Sequence, residues 1–290
     1  MNPILISNQN ALAGLMDSIK LAKTISLDTE FLRRETYYAK LALLQIAIKD
    51  EIYIVDATLV DVKNLWEAIS CSKAVKIIHS GRQDLEIMHN LFGLLPNNIF
   101  DTQIAAGFCG FRAETSYSEL CNAICNTEDL DKHLQNCNWL KRPLTVHMIN
   151  YAAIDVKYLE QIYSHLQRII TEQNQCDTFI EKTDDLLLNA DLYTKVVQNA
   201  WKKIKYYKRD EKFLVRLKEI AIFREEAAQA LNIPRRFFLT DDHVIMICNN
   251  PPADEETLHK IKDLSKYFIQ SEYKQKLLDL CNTTFLNIPI

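Results

Sequence analysis

The fold that we expect for this chain rests on residues 24–48, TISLDTEFLRRETYYAKLALLQIAI. Residues 24–30 alternate as a strand does, with Ile25 and Leu27 on one face and polar side chains on the other. Three further runs have strand character, the first nearly continuous in apolar residues and the others rich in β-branched ones: 41–48, 52–57 and 75–79.

Helical patterns alternate with these strands. Residues 61–69 and 83–92 carry apolar side chains at helical spacing. From Thr145, a plausible N-cap behind Pro143, the pattern is helical without interruption for about 25 residues. Strands interleaved with helices predict an α/β layer fold around a mixed sheet.

The strand pattern ends at about residue 172, and the chain then changes character. We predict an α/β domain over residues 1–170 and a polar connector over 171–195 that can itself be helical. Residues 196–285 are expected to form a small all-α domain of short helices. A length of 290 residues is ordinary for two domains.

The composition excludes several classes of protein. With 48% hydrophobic and 25% charged residues, the chain is neither disordered nor collagenous. Its net charge of −4 argues against a protein that is basic overall, and no apolar run is long enough to span a bilayer. Since the N-terminal stretch lacks the pattern of a signal peptide, we expect a cytoplasmic protein whose eight cysteines remain thiols.

The first candidate for chemistry is the pair Asp28 and Glu30. Residues two apart on a strand share a face, so the two acids stand about 7 Å apart along it. At about 4 Å and an effective dielectric near 20, two such charges repel by about 4 kcal/mol, which a divalent cation removes. Mg²⁺ and Mn²⁺ prefer such hard oxygen ligands. The alternative is a solvated strand end.

Three more residues extend this candidate site. Tyr151 and Asp155 lie four apart on one helix face, where a surface hydrogen-bonding pair is the alternative. Asp84 follows a strand and a short turn, where an acid commonly caps the next helix. Four acids that converge at one end of a sheet can hold two metal ions about 4 Å apart and so hydrolyse phosphodiesters.

Five segments resemble, in chain order, the exonuclease domain of bacterial ribonuclease D: SLDTEFLRRETYYAKLALLQIA, HSGRQDLEIMHNLFG, FDTQIAAGFCG, NWLKRPLT and YAAIDVKYL. That family belongs to the Asp-Glu-Asp-Asp superfamily of 3′→5′ exonucleases, in its tyrosine-containing branch. The resemblance covers about residues 20–165 and all three exonuclease motifs. It implies an RNase H-like fold in which Asp28 and Glu30 form the first motif, Asp84 the second, and Tyr151 with Asp155 the third.

The resemblance also implies a mechanism and a substrate. The four acids would bind two Mg²⁺ or Mn²⁺ ions, and Tyr151 would orient the attacking water. The substrate would be the 3′ end of single-stranded RNA, tRNA precursors included, and the products 5′-mononucleotides. We expect neither a membrane nor an obligate protein partner.

The segments QNAWKKIK and AIFREEAAQALNIPRRFFLTDDHVIMI resemble a second family, the helical HRDC domain shared by RecQ-type helicases and ribonuclease D. Such domains help to bind nucleic acid. Familiar members of the ribonuclease D family have two of these domains, whereas the chain has room for one.

Between residues 195 and 218, nine Lys or Arg stand against two acids, with aromatic residues interleaved. The lysines suit RNA phosphates, and most of the aromatics are expected to be structural, although a solvated amphipathic helix is the alternative. Two basic residues before the third motif could also meet the RNA backbone. The expected RNA contacts are Lys132, Arg142, Lys202, Lys203, Lys205, Lys208 and Arg209.

Cys121, Cys125, His133 and Cys137 have the composition of a structural zinc site. The first two lie four apart, so a helix with buried thiols is the better interpretation.

Two alternatives to the exoribonuclease remain open, one of them from another functional class. One is an RNA-binding protein whose nuclease site is idle, which the complete acid set disfavours. The other is the same exonuclease acting mainly on DNA, because selection for RNA depends on contacts to the 2′-hydroxyl.

Overall fold

One mixed sheet organises the N-terminal part of the chain. The computed structural model describes residues 2–128, 130, 133–207 and 210–285, and in these ranges six strands pair in the order β1-β4-β3-β2-β5-β6. Pairing is antiparallel between β2 and β3 and between β3 and β4, and parallel elsewhere. The strands are β1 Ile4–Ile6, β2 Thr24–Leu32, β3 Lys40–Ile48, β4 Glu51–Asp56, β5 Val75–Ile78 and β6 Ile99–Asp101.

The helices that accompany the sheet are α1 Leu12–Leu21, α2 Lys63–Cys71, α3 Arg82–Phe92, α4 Thr102–Phe108, α5 Tyr117–Cys125, α6 Val146–Lys157, α7 Leu159–Glu172 and α8 Cys176–Thr183. Helix α6 packs on the sheet through a core cluster that contains Met148, Ala152 and Val156. Helices α4, α5, α7 and α8 share a second cluster with Phe100 of β6. The predicted α/β fold with a mixed sheet is thereby confirmed.

One predicted helix is two helices. Thr145 is the N-cap, as expected, and its hydroxyl accepts a hydrogen bond from the Met148 N–H. The prediction of an unbroken helix from there was wrong, because α6 ends at Lys157 and α7 begins at Leu159. The hydroxyl of the distant Tyr117 lies at this break, between the Ile154 carbonyl and the Tyr158 N–H.

Among the residues described after Ala190, helices are the regular secondary structure, and turns and loops connect them. The α-helices are α9 Asp191–Thr194, α10 Glu211–Ala230, α11 Arg235–Phe238, α12 Asp241–Asn249, α13 Glu255–His259, α14 Lys266–Ile269 and α15 Tyr273–Leu280. Short helices were expected, but α10 runs for 20 residues. Its buried residues Phe213, Leu217 and Ile220 belong to the core cluster of this region.

The chain divides into two compact units. The first comprises the chain up to Leu32 together with Ala39–Ala190, and the second comprises Arg33–Tyr38 together with the chain from Asp191 onward. Helix α8 belongs to the first unit, where Phe179 is buried. No helix within the described ranges is long and apolar enough to cross a bilayer.

Candidate active site

Asp28 and Glu30 stand on the part of β2 that continues beyond β5. The parallel pairing of β2 with β5 covers only Thr24 to Ser26, whereas the pairing with β3 continues along the strand. Both acidic residues are half-buried and alternate with the buried Thr29. This alternation agrees with the predicted placement of the two acids on one face of the strand.

Asp84 is held in place by the turn that follows β5. The turn leads into α3, and Asp84 lies in its first helical turn. The buried carboxylate of Asp101 accepts hydrogen bonds from the backbone N–H groups of Ser80 at 3.1 Å and Gly81 at 2.9 Å. A Cβ atom at position 81 would come too close to the buried Ile78 side chain, so any larger residue there would force Ile78 to move. The Thr29 hydroxyl in turn donates to the Asp84 carboxylate.

Tyr151 and Asp155 lie one turn apart on α6. The buried faces of Ala152 and Val156 pack α6 onto the sheet and so hold the two functional side chains beside β2. The ring of Tyr151 packs against the buried ring of Trp139, with ring centroids 5.8 Å apart.

The four acids share one electrostatic environment. Burial raises the pKa of Asp84 to about 6, that of Asp155 to about 7 and that of Glu30 to about 9. Burial also raises the pKa of Asp28 well above its usual 3.8, and the negative charges of the other three acids raise it further. The structure therefore brings the four predicted acids within electrostatic reach of one another.

This donor set is chemically suited to a hard divalent cation. All four side chains offer oxygen. Burial is the largest cause of the raised pKa of each acid, and the charges of other acids in the set add to it for Asp28 and Glu30. Among the described residues, no three His, Cys, Asp or Glu side chains are placed closely enough to hold one ion. Mg²⁺ commonly takes only one or two protein carboxylates and completes its coordination with water, so the donor set remains compatible with such an ion.

Trp139 is a site residue that the sequence reasoning missed. Its buried indole nitrogen has no hydrogen-bond partner at normal distance, but it faces the Glu30 carboxyl. This proximity lowers the pKa of Glu30, although burial raises that pKa by more. Trp139 thus contacts Tyr151 and influences Glu30. Its place in the segment NWLKRPLT, between the second and third motifs, was the available signal.

Arg142 was predicted to contact RNA, and the structure corrects this. Its guanidinium forms a bidentate ion pair with the buried Asp56, at 2.5 Å and 2.6 Å, and donates to the Trp139 carbonyl at 2.6 Å. Its donors are thus committed within the protein, where they hold the segment that carries Trp139 against the end of β4. Burial raises the pKa of Asp56, but hydrogen bonds from Arg142 and Thr58 more than offset this and leave it below its usual value.

The other predicted RNA contacts lie in the second unit or outside the described residues. Lys202, Lys203 and Lys205 are exposed. Lys132, Lys208 and Arg209 lie outside the described ranges. Of the interleaved aromatic residues, Trp201, Tyr206 and Phe213 pack in the core cluster of the unit, whereas Tyr207 is 85% exposed.

The cysteine pattern is explained by a helix. Cys121 and Cys125 lie on α5, and Cys121 is fully buried. Burial raises the pKa of both thiols. The preference for a helix with buried thiols agrees with this placement.

Two family models match the chain. A model described as 3′-5′ exonuclease matches residues 3–171, and an HRDC domain model matches residues 213–281. The first range contains all five segments that resemble the exonuclease domain, and the second contains the longer of the two segments that resemble an HRDC domain, so both resemblances are confirmed.

Relatives that match over most of this chain point to the same family as the two family models. Ribonuclease D from Bartonella henselae is 33% identical over 264 residues, which cover 90% of this chain and 64% of that protein. Ribonuclease D from Nitrobacter hamburgensis is 33% identical over 271 residues, which cover 93% of this chain and 70% of that protein. The crystal structure of Escherichia coli RNase D, described as an exoribonuclease involved in structured RNA processing, matches with a TM-score of 0.88 at 27% identity. That match covers 100% of this chain and 76% of the other, so the chain is shorter than these relatives.

Proposed function

Because the chain belongs to the ribonuclease D family of 3′→5′ exoribonucleases, we propose that it trims the 3′ ends of single-stranded RNA, tRNA precursors included, and releases 5′-mononucleotides. The observation that supports this most is the set of four acids beside Tyr151 whose pKa values burial raises. We place the activity in the cytoplasm, where the eight cysteines, none of them in a disulfide in the structure, would stay reduced.

Exonucleases of this fold use divalent metal ions. We propose that Asp28, Glu30, Asp84 and Asp155 hold two Mg²⁺ or Mn²⁺ ions. Such ions would lower the pKa of a bound water and stabilise the leaving oxygen.

The remaining parts of the mechanism belong to the chain itself. The Tyr151 hydroxyl would hydrogen-bond the attacking water and direct it at the terminal phosphate. Trp139 limits the movement of the Tyr151 ring, and the Thr29 hydroxyl orients the Asp84 carboxylate. Positioning of this kind replaces an encounter in solution with a prearranged one.

We further propose that the exposed Lys202, Lys203 and Lys205, which precede the HRDC match in the second unit, contact RNA phosphates. Tyr207, the exposed aromatic side chain of this stretch, is suited to stack on a base. The HRDC match over residues 213–281, which follow this stretch, supports a role in nucleic-acid binding for this part of the chain.

The test is a cleavage assay on 5′-labelled single-stranded RNA and DNA of equal sequence, with Mg²⁺, Mn²⁺ or EDTA. We expect a metal-dependent ladder that shortens from the 3′ end of RNA. Asp155→Asn should slow it on the order of 100-fold or more, because loss of one preorganised electrostatic group costs about 10² to 10³ in rate. RNA affinity, measured by anisotropy in EDTA, should be retained.

Two results would contradict the proposal. A ladder mainly on DNA would support the proposed active site but would show that DNA, and not RNA, is the preferred substrate. RNA binding without cleavage of either strand would favour an RNA-binding protein with an idle nuclease site. Asp17→Asn, at an exposed ion pair with Lys20, serves as the matched control for the loss of one carboxylate.

A further inference from the structure

The break between α6 and α7 contains a foreign hydroxyl. In an uninterrupted helix, the Tyr158 N–H would donate to the Ile154 carbonyl four residues earlier. Here the Tyr117 hydroxyl occupies that position: it donates to the Ile154 carbonyl at 2.9 Å and accepts from the Tyr158 N–H at 3.1 Å. The Tyr158 N–H is also directed at the Val156 carbonyl and not at Ile154. One hydrogen bond of the helix is thus replaced by two through a side chain.

Such an insertion is a recognised cause of helix kinks. A direct bond holds the nitrogen and oxygen atoms about 3 Å apart, and a bridging hydroxyl forces them further apart. The bond that is opened spans residues 154 to 158, so Asp155 lies inside the opened turn.

Tyr117 is itself firmly held. It is the first residue of α5 and lies inside the capping box that Ser116 and Glu119 form. Its ring packs against both core clusters of the first unit and lies 5.7 Å from the ring of His79. Burial, with smaller contributions that include the charge of Asp155, raises the pKa of the hydroxyl well above 10, so the hydroxyl stays protonated and can donate.

We propose that Tyr117 is a positioning residue: by opening the helix at Asp155, it directs that carboxylate toward Asp28 and Glu30. The inference rests on the proposed function, since it concerns how the third motif is assembled for metal binding. Because the Tyr117 hydroxyl is held in a fixed position, it can set the direction in which the Asp155 carboxylate of α6 points relative to the acids on β2. Tyr117 neither contacts the substrate nor binds the ion in this role.

The experiment replaces Tyr117 by Phe, which keeps the ring and removes the hydroxyl. The control is Tyr163→Phe on α7, whose ring packs edge-on against Phe100 with centroids 4.8 Å apart, away from the acids. Mn²⁺ binding to the RNA-free protein is measured by calorimetry, and amide hydrogen exchange is followed over residues 154–160. Urea unfolding of both variants measures any general loss of stability.

We expect Tyr117→Phe to bind Mn²⁺ about 10- to 100-fold more weakly, the usual effect of losing a group that orients a metal ligand. Exchange at Tyr158 should change as the helix closes or frays, and the RNA cleavage rate should recover toward the wild-type rate at high Mn²⁺ with KM for RNA unchanged. Tyr163→Phe should bind Mn²⁺ as the wild type does.

Two outcomes would overturn the inference. In one, Tyr117→Phe binds Mn²⁺ with wild-type affinity although exchange at Tyr158 has changed. In the other, both variants lose Mn²⁺ affinity in proportion to their loss of stability, which would make Tyr117 an ordinary core residue. Failure of the proposed function can be distinguished from failure of this inference, because the wild-type protein itself would then show no metal-dependent cleavage.

Discussion

Replacement of Asp155 by asparagine tests the electrostatics of the site without any substrate. Burial raises the pKa of this carboxyl from its usual 3.8 to about 7. A difference of about 3 pKa units corresponds to about 4 kcal/mol between the protonated and the ionised forms. In the metal-free protein, ionisation of Asp155 therefore destabilises the folded state.

The sign follows from proton linkage. The folded state holds the proton of the Asp155 carboxyl more tightly than the unfolded state does. The stabilisation that this proton gives to the folded state is therefore fully present below about pH 4 and is lost as the pH rises through about 7. Between pH 5 and pH 8 the wild-type protein loses about 2.5 kcal/mol through this residue alone. The asparagine side chain of the variant cannot ionise, so the variant should not show this loss. Between pH 5 and pH 8, the difference in unfolding free energy between the variant and the wild type should therefore shift by about 2.5 kcal/mol in favour of the variant.

The assay is urea unfolding in EDTA at several pH values, followed by tryptophan fluorescence. A Trp201→Phe background leaves Trp66 and Trp139, both in the first unit, as the reporters. Addition of Mg²⁺ at pH 8 should stabilise the wild-type protein much more than the variant. Parallel stability curves for the two proteins across pH 5 to 8 would refute the assignment of Asp155 to a buried, uncompensated acid cluster, and Asp17→Asn supplies the control for an exposed acid.

Two further predictions concern the basic residues. Asp56→Asn should lower the unfolding free energy of the first unit by about 3 kcal/mol or more, because it leaves the guanidinium of Arg142 without its buried partner; a loss below about 1 kcal/mol in urea would contradict the structural role of this pair. The double variant Lys202→Ala with Lys205→Ala should reduce the slope of log affinity against log salt concentration by about 0.7 for each RNA phosphate that is no longer neutralised, measured by anisotropy on labelled single-stranded RNA in EDTA. Lys20→Ala, in the first unit, is the matched control, and an unchanged slope in the double variant would remove these lysines from the RNA surface.

The strands could be predicted closely because their signal is local. Strands β2 to β5 begin and end within two residues of the predicted bounds, since alternating and β-branched runs identify a buried strand directly. The short edge strands β1 and β6, of three residues each, carry too little pattern to be identified in this way.

The acids were identified from motifs, but the contacts that orient them were not. The spacing of Asp28 with Glu30 and of Tyr151 with Asp155 is local, so the sequence could place each pair on one face. Trp139 and Thr29 act through neighbours far away in the chain, and their residue types alone do not indicate a role. Arg142 was misassigned for the same reason, because its partner Asp56 lies 86 residues earlier.

The difference between local patterns and long-range contacts also explains why the helix break was not predicted. The sequence by itself determined which residues favour strand or helix, which acids share a face, and the family to which the chain belongs. Only the tertiary structure decided that the Tyr117 hydroxyl interrupts the helix after Asp155, and that Arg142 holds Asp56 instead of a phosphate. Helical and strand preferences depend on neighbours a few residues away, whereas these contacts join residues that only the folded chain brings together.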